Sequence, residues 1–181
     1  MAAGKGDRRL WASALIACLS GGVVAAAQPG APPWPVPLAR LAPVACLQQA
    51  AQHFGLAPAL LQAIAQVESG GNPAAVNRSN RNGSRDIGLM QINSRWLPTL
   101  ARWQVFEQDL FDPCVSAHVG AWILADNIAR LGPVWRAVGA YNAVTPALQQ
   151  RYVRRVQAEL ARQQARAADP GKPATRRPRP P

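Results

Sequence analysis

Apolar residues recur at helical spacing through the middle of the chain. Val44–Phe54 follows Pro43 and is stopped by Gly55. From Pro58 to Ser69, Leu60, Leu61, Ile64 and Val67 fall on one stripe. Pro58 suits a first helical position, and Gly70-Gly71 ends that helix. Residues 71–86 are rich in Asn, Ser, Gly and Arg and read as a long polar loop. The short alternation from Ile87 to Ile92 fits either a small strand or an irregular turn. Asp112 is a good N-cap before Pro113, and a helix then runs through Val115, Val119, Trp122, Ile123 and Leu131 to Gly132. Pro133 restarts a short helix to about Tyr141. Thr145-Pro146 opens the last helix, with Tyr152, Val153, Val156 and Leu160 inward and its arginines outward. The pattern predicts one mainly α domain over about 44–162, with at most a small β element.

The flanks differ in kind. Lys5, Arg8 and Arg9 precede an apolar run from Leu10 to Ala27, ending in small residues before Gln28. This is the pattern of a secretory signal peptide over 1–27, cleaved after Ala27, and it predicts export. An uncleaved anchor is the alternative, but the run is short for a span and holds Ser13, Ser20, Gly21 and Gly22. Leu15-Ile16-Ala17-Cys18 also resembles a lipoprotein lipobox, so an acylated Cys18 is a second alternative. Residues 28–43 carry six prolines and read as an extended spacer. Residues 163–181 read as a basic Pro/Arg-rich tail, disordered from about Ala167.

Composition narrows the function classes. The 181 residues are 49% hydrophobic, enough for a core, with a formal net charge of +11. Residues 44–161 hold ten basic and seven acidic side chains, whereas 162–181 hold six and one. The charge thus concentrates in the tails, which opposes a nucleic-acid-binding fold. There is no Cys-x-x-Cys or His-x-x-x-His spacing and no Gly-rich nucleotide loop, so no metal and no cofactor are expected. After cleavage at Ala27 only Cys46 and Cys114 remain, and an oxidising compartment favours a disulfide between them.

Glu68 is the chemically conspicuous residue. It lies four residues after Ile64 and seven after Leu61, along the apolar stripe. It also sits in the last helical turn, where the helix dipole disfavours a negative charge. Desolvation there raises a carboxyl pKa and suits a general acid. The alternative is a glutamate that simply turns into solvent.

The surrounding motifs decide between these. Glu68-Ser69-Gly70-Gly71-Asn72-Pro73, Gly88-Leu89-Met90-Gln91-Ile92-Asn93 and Ala140-Tyr141-Asn142-Ala143 occur in that order. Together they resemble the soluble-lytic-transglycosylase (SLT) catalytic domain, a lysozyme-like α+β family that cleaves peptidoglycan. The resemblance spans roughly 44–155. The run Asp86–Trp96, with Asp112-Pro-Cys and Gly120-Ala-Trp-Ile-Leu124, looks like one branch of it. That branch comprises the small specialised enzymes of secretion, pilus and conjugation machines (the invasion-protein type).

The resemblance implies that Glu68 is the sole catalytic carboxylate. It would protonate the glycosidic oxygen between N-acetylmuramic acid and N-acetylglucosamine, then deprotonate the C6 hydroxyl of the same muramic acid. It also implies that Met90 and Gln91 line the substrate groove and that the Tyr141 hydroxyl faces Glu68. Ser69 would contact substrate or cap the helix, and Asn142 would be structural or line the site. Asp86, the one other nearby carboxylate, reads as a loop residue. Trp96 is a candidate sugar-stacking face, while Trp103, Trp122 and Trp135 read as core. Val144 stands where the family commonly has Gly, so the resemblance is not carried over to 144–147.

The expected partners are peptidoglycan strands and components of a secretion-type machine, for a monomer in the bacterial periplasm with no nucleic-acid partner. A hydrolytic lysozyme of the same fold and a non-catalytic wall-binding module remain the alternatives.

Overall fold

Proline stands at the start of four helices, where a missing backbone N–H leaves no bond unmade. These are α1 (Pro43–His53), α2 (Pro58–Ser69), α4 (Pro113–Leu131) and α6 (Pro146–Ala168). A short α3 (Leu97–Leu100) and α5 (Val134–Asn142) complete the set, with 3-10 turns at Ser94–Trp96, Ala101–Trp103 and Glu107–Phe111. The computed structural model describes residues 32–34, 41–132 and 134–169. The expected export signal at 1–27 and the lipobox-like stretch at Cys18 lie outside the described residues.

The five longer helices contact one another in a closed order: α1 on α2, α2 on α6, α6 on α5, α5 on α4, and α4 back on α1. Leu61, Ile64, Val119, Leu124, Val138 and Val156 are fully buried between them. Asp112 caps α4 as expected, its Oδ1 accepting from the N–H groups of Cys114 (2.8 Å) and Val115 (3.0 Å). Cys46 and Cys114 form a disulfide that joins the first turns of α1 and α4.

The polar stretch after α2 contains a small antiparallel sheet of two-residue strands, β1 (Val76–Asn77), β2 (Asp86–Ile87) and β3 (Ile92–Asn93), in the order β1-β2-β3. The predicted loop over 71–86 is therefore partly strand. The alternation at 87–92 turns out to be both of its alternatives at once: two strand ends joined by a tight turn. Gly88 makes that turn possible. Its φ is +77°, and a Cβ there would lie 2.0 Å from the carbonyl oxygen of Leu110. Gly120 on α4 gives the turn room, since a Cβ there would come within 2.8 Å of Met90.

Two boundaries differ from expectation. Trp34 falls in the stretch that reads as an extended spacer, yet it is 5% exposed and packs against Phe54, Trp103 and Trp122, with ring centroids 5.5–6.3 Å apart. Burial of this large indole ties the segment to the domain through a single side chain. At the other end α6 continues past residue 162 to Ala168, because the Ala, Gln and Arg residues there are strong helix formers. The core assignment also fails for Trp135, which is 39% exposed on α5.

Candidate active site

Helix α2 ends as its sequence requires. Gly70 adopts the left-handed conformation (φ 66°) and its N–H closes on the Gln66 carbonyl. Glu68, two residues earlier, projects between α6 and the sheet and lines a groove of about 580 Å³. The groove runs past Asn77, Asn80, Asp86, Gln91, Trp96 and Tyr141. Its walls are mainly amide, guanidinium and hydroxyl groups, the chemistry that binds sugar hydroxyls and acetamido groups.

Burial pushes the Glu68 carboxyl up to about 7. The Tyr152 hydrogen bond and the Arg155 charge oppose this, and the nearby Asp86 adds to it. Tyr152 on α6 donates from its hydroxyl to Glu68 Oε1 at 2.5 Å. Burial and the adjacent Glu68 hold the Tyr152 phenol far above its ordinary range, so it stays a donor. Among the described residues nothing bonds Glu68 Oε2.

Tyr141 stands at the groove near Glu68, but its hydrogen-bond partner differs from expectation. Tyr141 lines the groove, but its hydroxyl donates to the carbonyl of Met90 at 3.0 Å rather than to Glu68. The end of α5 meets the back of the Gly88–Gln91 turn there, and the inward carbonyl needs a donor. Tyr152, read from the sequence as a core residue, takes the position beside the acid.

Other predicted residues divide between lining and support. Met90 does not face the groove: it is fully buried against Gly120, and its N–H donates to Ser116 Oγ at 3.1 Å. Ser69 contacts neither the groove nor a free helical N–H. Its hydroxyl bonds back to the Ala65 carbonyl (3.2 Å) and across to the Leu89 carbonyl (2.7 Å). That second bond locks the motif turn to α2. Gln91 does line the groove, in a left-handed conformation (φ 48°) that is strained for a residue with a Cβ. Its Nε2 donates to the carbonyls of Ala75 (3.2 Å) and Gly88 (2.9 Å), which leaves Oε1 for a ligand. Asn142 is exposed at the groove, and half-buried Trp96 lines it edge-on to Trp122, with centroids 5.3 Å apart.

Asp86 is more than a loop residue. The side-chain amides of Asn77 (2.9 Å), Asn80 (3.0 Å) and Asn93 (2.7 Å) hold its two oxygens on the groove wall. The dense run of asparagines at 72–93 is the signal that could have found this cradle. Outside the groove, Arg85 forms a two-pronged ion pair with Glu107 and ties β2 to the 107–111 turn.

A small helical domain with one desolvated carboxyl group on a polar groove and a minor three-stranded sheet has the lysozyme-like architecture. A family model described as the transglycosylase SLT domain matches residues 45–164, and the chain belongs to that family. It is 48% identical over 101 residues to invasion protein IagB of Salmonella typhimurium (strain LT2), covering 55% of this chain and 62% of the relative. Protein IpgF of Shigella flexneri is 43% identical over 101 residues, covering 55% and 66%. A putative peptidoglycan-binding-like protein of Escherichia coli (strain K12) is 37% identical over 105 residues, covering 54% and 66%. The chain thus spans under two thirds of the length of these curated relatives. Among the described residues no helix is long and apolar enough to cross a membrane.

Proposed function

We propose that the protein is a peptidoglycan lytic transglycosylase that cleaves the β-1,4 bond between N-acetylmuramic acid and N-acetylglucosamine, with Glu68 as acid and then base. The observation that carries this is the Glu68 carboxyl itself, desolvated to about 7 on a polar groove and hydrogen-bonded by Tyr152. Near neutral pH such a group exists in both protonation states and can serve both steps.

In the first step the Glu68 proton passes to the glycosidic oxygen as the C1–O bond breaks. Positive charge develops at C1, and the substrate acetamido group stabilises it. Glu68 is now a carboxylate, and the Tyr152 O–H bond is strongest in this state. In the second step the carboxylate takes the proton of the muramyl C6 hydroxyl while that oxygen bonds to C1. The product is a 1,6-anhydromuramyl end, Glu68 regains its proton, and no water is consumed. The internal hydroxyl acts at high effective molarity, so no second carboxylate is needed.

A hydrolytic lysozyme is the second reading, favoured by Asp86. A carboxyl group fixed in the same groove could support positive charge or activate water, as the second carboxylate of ordinary glycosidases does.

The signal-like segment at 1–27 supports export to the periplasm, where this substrate lies. Likeness to a protein named for invasion supports a role in opening the wall locally for a secretion, pilus or conjugation apparatus. The test is release of muropeptides from purified sacculi by the wild type and by Glu68→Gln. The wild type is expected to release them. A Glu68→Gln variant with wild-type activity would refute the assignment of the acid.

A further inference from the structure

The last helix carries a second built surface. Beside the C-terminal half of α2, a concave groove of about 570 Å³ is lined by Arg151, Arg154, Arg155, Arg162 and Arg166 of α6, with Val67 and Ala158 within it. Only one acidic residue, Glu159, lines it, and that carboxylate is buried and ion-paired to Arg162 at 2.6 Å. Arg155 donates to the Val67 carbonyl at 2.9 Å. Among the described residues Arg151, Arg154 and Arg166 form no hydrogen bond or ion pair, although all three are exposed. At the α-helical rise, the stripe from Arg151 to Arg166 is about 22 Å long.

We infer that this arginine-lined groove between α6 and α2 is a docking site for an acidic segment of a partner protein. Guanidinium forks pair two-pronged with carboxylates, and their spacing along α6 matches a helix or strand bearing acidic groups every three or four residues. The shape favours a protruding segment over a lipid surface, because a plane would touch the exposed arginine rim but not half-buried Val67. Charge excludes the chain itself as occupant. The sequence after α6 carries Lys172, Arg176, Arg177 and Arg179 against Asp169 alone, and a second full-length copy would bring a further +11.

The position gives docking a consequence. Tyr152, between Arg151 and Arg155 on α6, holds the catalytic acid. A partner seated in the groove would therefore lie about one helix diameter from Glu68, fixing where on the wall the active site works.

The test uses the purified full-length chain and a fluorescent helical peptide of about 16 residues, matched to the stripe, with glutamates at three- and four-residue spacing. Anisotropy should show saturable binding that weakens with added salt. The triple variant Arg151→Gln, Arg154→Gln, Arg166→Gln should lose roughly tenfold or more in affinity while melting and cleaving sacculi like the wild type. Arg154→Glu alone should weaken binding in the same direction, which keeps the test decisive if the triple variant folds poorly.

Equal binding by these variants would place the contact on the basic tail and overturn the proposal. So would equal binding of a glutamine version of the peptide, or no binding at all. Arginine-dependent binding of phosphatidylglycerol vesicles or polyphosphate that exceeds binding of the peptide would overturn the protein-partner assignment.

Discussion

The Tyr152 hydroxyl donates to Glu68 Oε1 at 2.5 Å across 84 positions of sequence, so α6 sets the state of an acid that α2 supplies. This bond favours the carboxylate, while burial favours the neutral acid, and burial prevails. Tyr152→Phe removes the weaker influence. A hydrogen bond to a charged group contributes about 1.5–3 kcal/mol, so kcat/KM should fall roughly ten- to a hundredfold. The alkaline limb of its pH profile should move upward, since the acid then holds its proton longer. Tyr141→Phe breaks only the bond to the Met90 carbonyl and should leave that limb in place. Measured pH profiles that shift with Tyr141 and not with Tyr152 would reverse the assignment.

The raised Glu68 acidity also enters stability, with a definite sign. The folded protein binds this proton more tightly than the unfolded chain, whose glutamate titrates near 4.5. Stability should therefore decline as pH rises from about 4.5 to about 7, and the deficit persists above that. Glu68→Gln removes the titration while keeping an acceptor for Tyr152. It should be more stable than wild type at pH 8 by about 1–3 kcal/mol and nearly equal at pH 4.5. Thermal melts at the two pH values check this, and a gain confined to low pH would contradict it.

The Cys46–Cys114 bridge spans a sequence separation of 68 and ties α1 to α4. Replacing both cysteines with serine should lower stability by about 3–5 kcal/mol, mainly through the unfolded chain. Denaturant unfolding with and without reductant measures it. Coincident curves for oxidised and reduced wild type would show that the bridge is absent.

Gly88 is the tightest point of the site. In Gly88→Ala the new methyl meets the Leu110 carbonyl oxygen, and the residue must hold a φ of +77°. The cost should exceed about 2 kcal/mol. Activity should fall further than stability alone explains, because the displaced turn carries Gln91. Activity measured well below the melting temperature separates the two effects.

Much of this fold was legible because its signals are local. Proline at helix starts, Asp112 as a cap, Gly70 at a helix end and an apolar stripe each act within a few residues. Glu68 stood out because it broke such a pattern. Tyr152 was legible only as an inward residue, since periodicity assigns a face but names no partner on another helix. Met90 and Ser69 belong to the motifs yet shape the turn rather than line the groove, because a motif records residues needed together and not which atoms point outward. Trp34 was missed because a run of prolines reads as extended whether or not one side chain within it finds a pocket.

The most direct measurement is the mass of the products released from purified peptidoglycan by the full-length protein. Cleavage by Glu68 through the internal C6 hydroxyl predicts muropeptides ending in 1,6-anhydromuramic acid, absent with Glu68→Gln. Products heavier by one water would contradict the transglycosylase chemistry and make Asp86 part of a hydrolytic site.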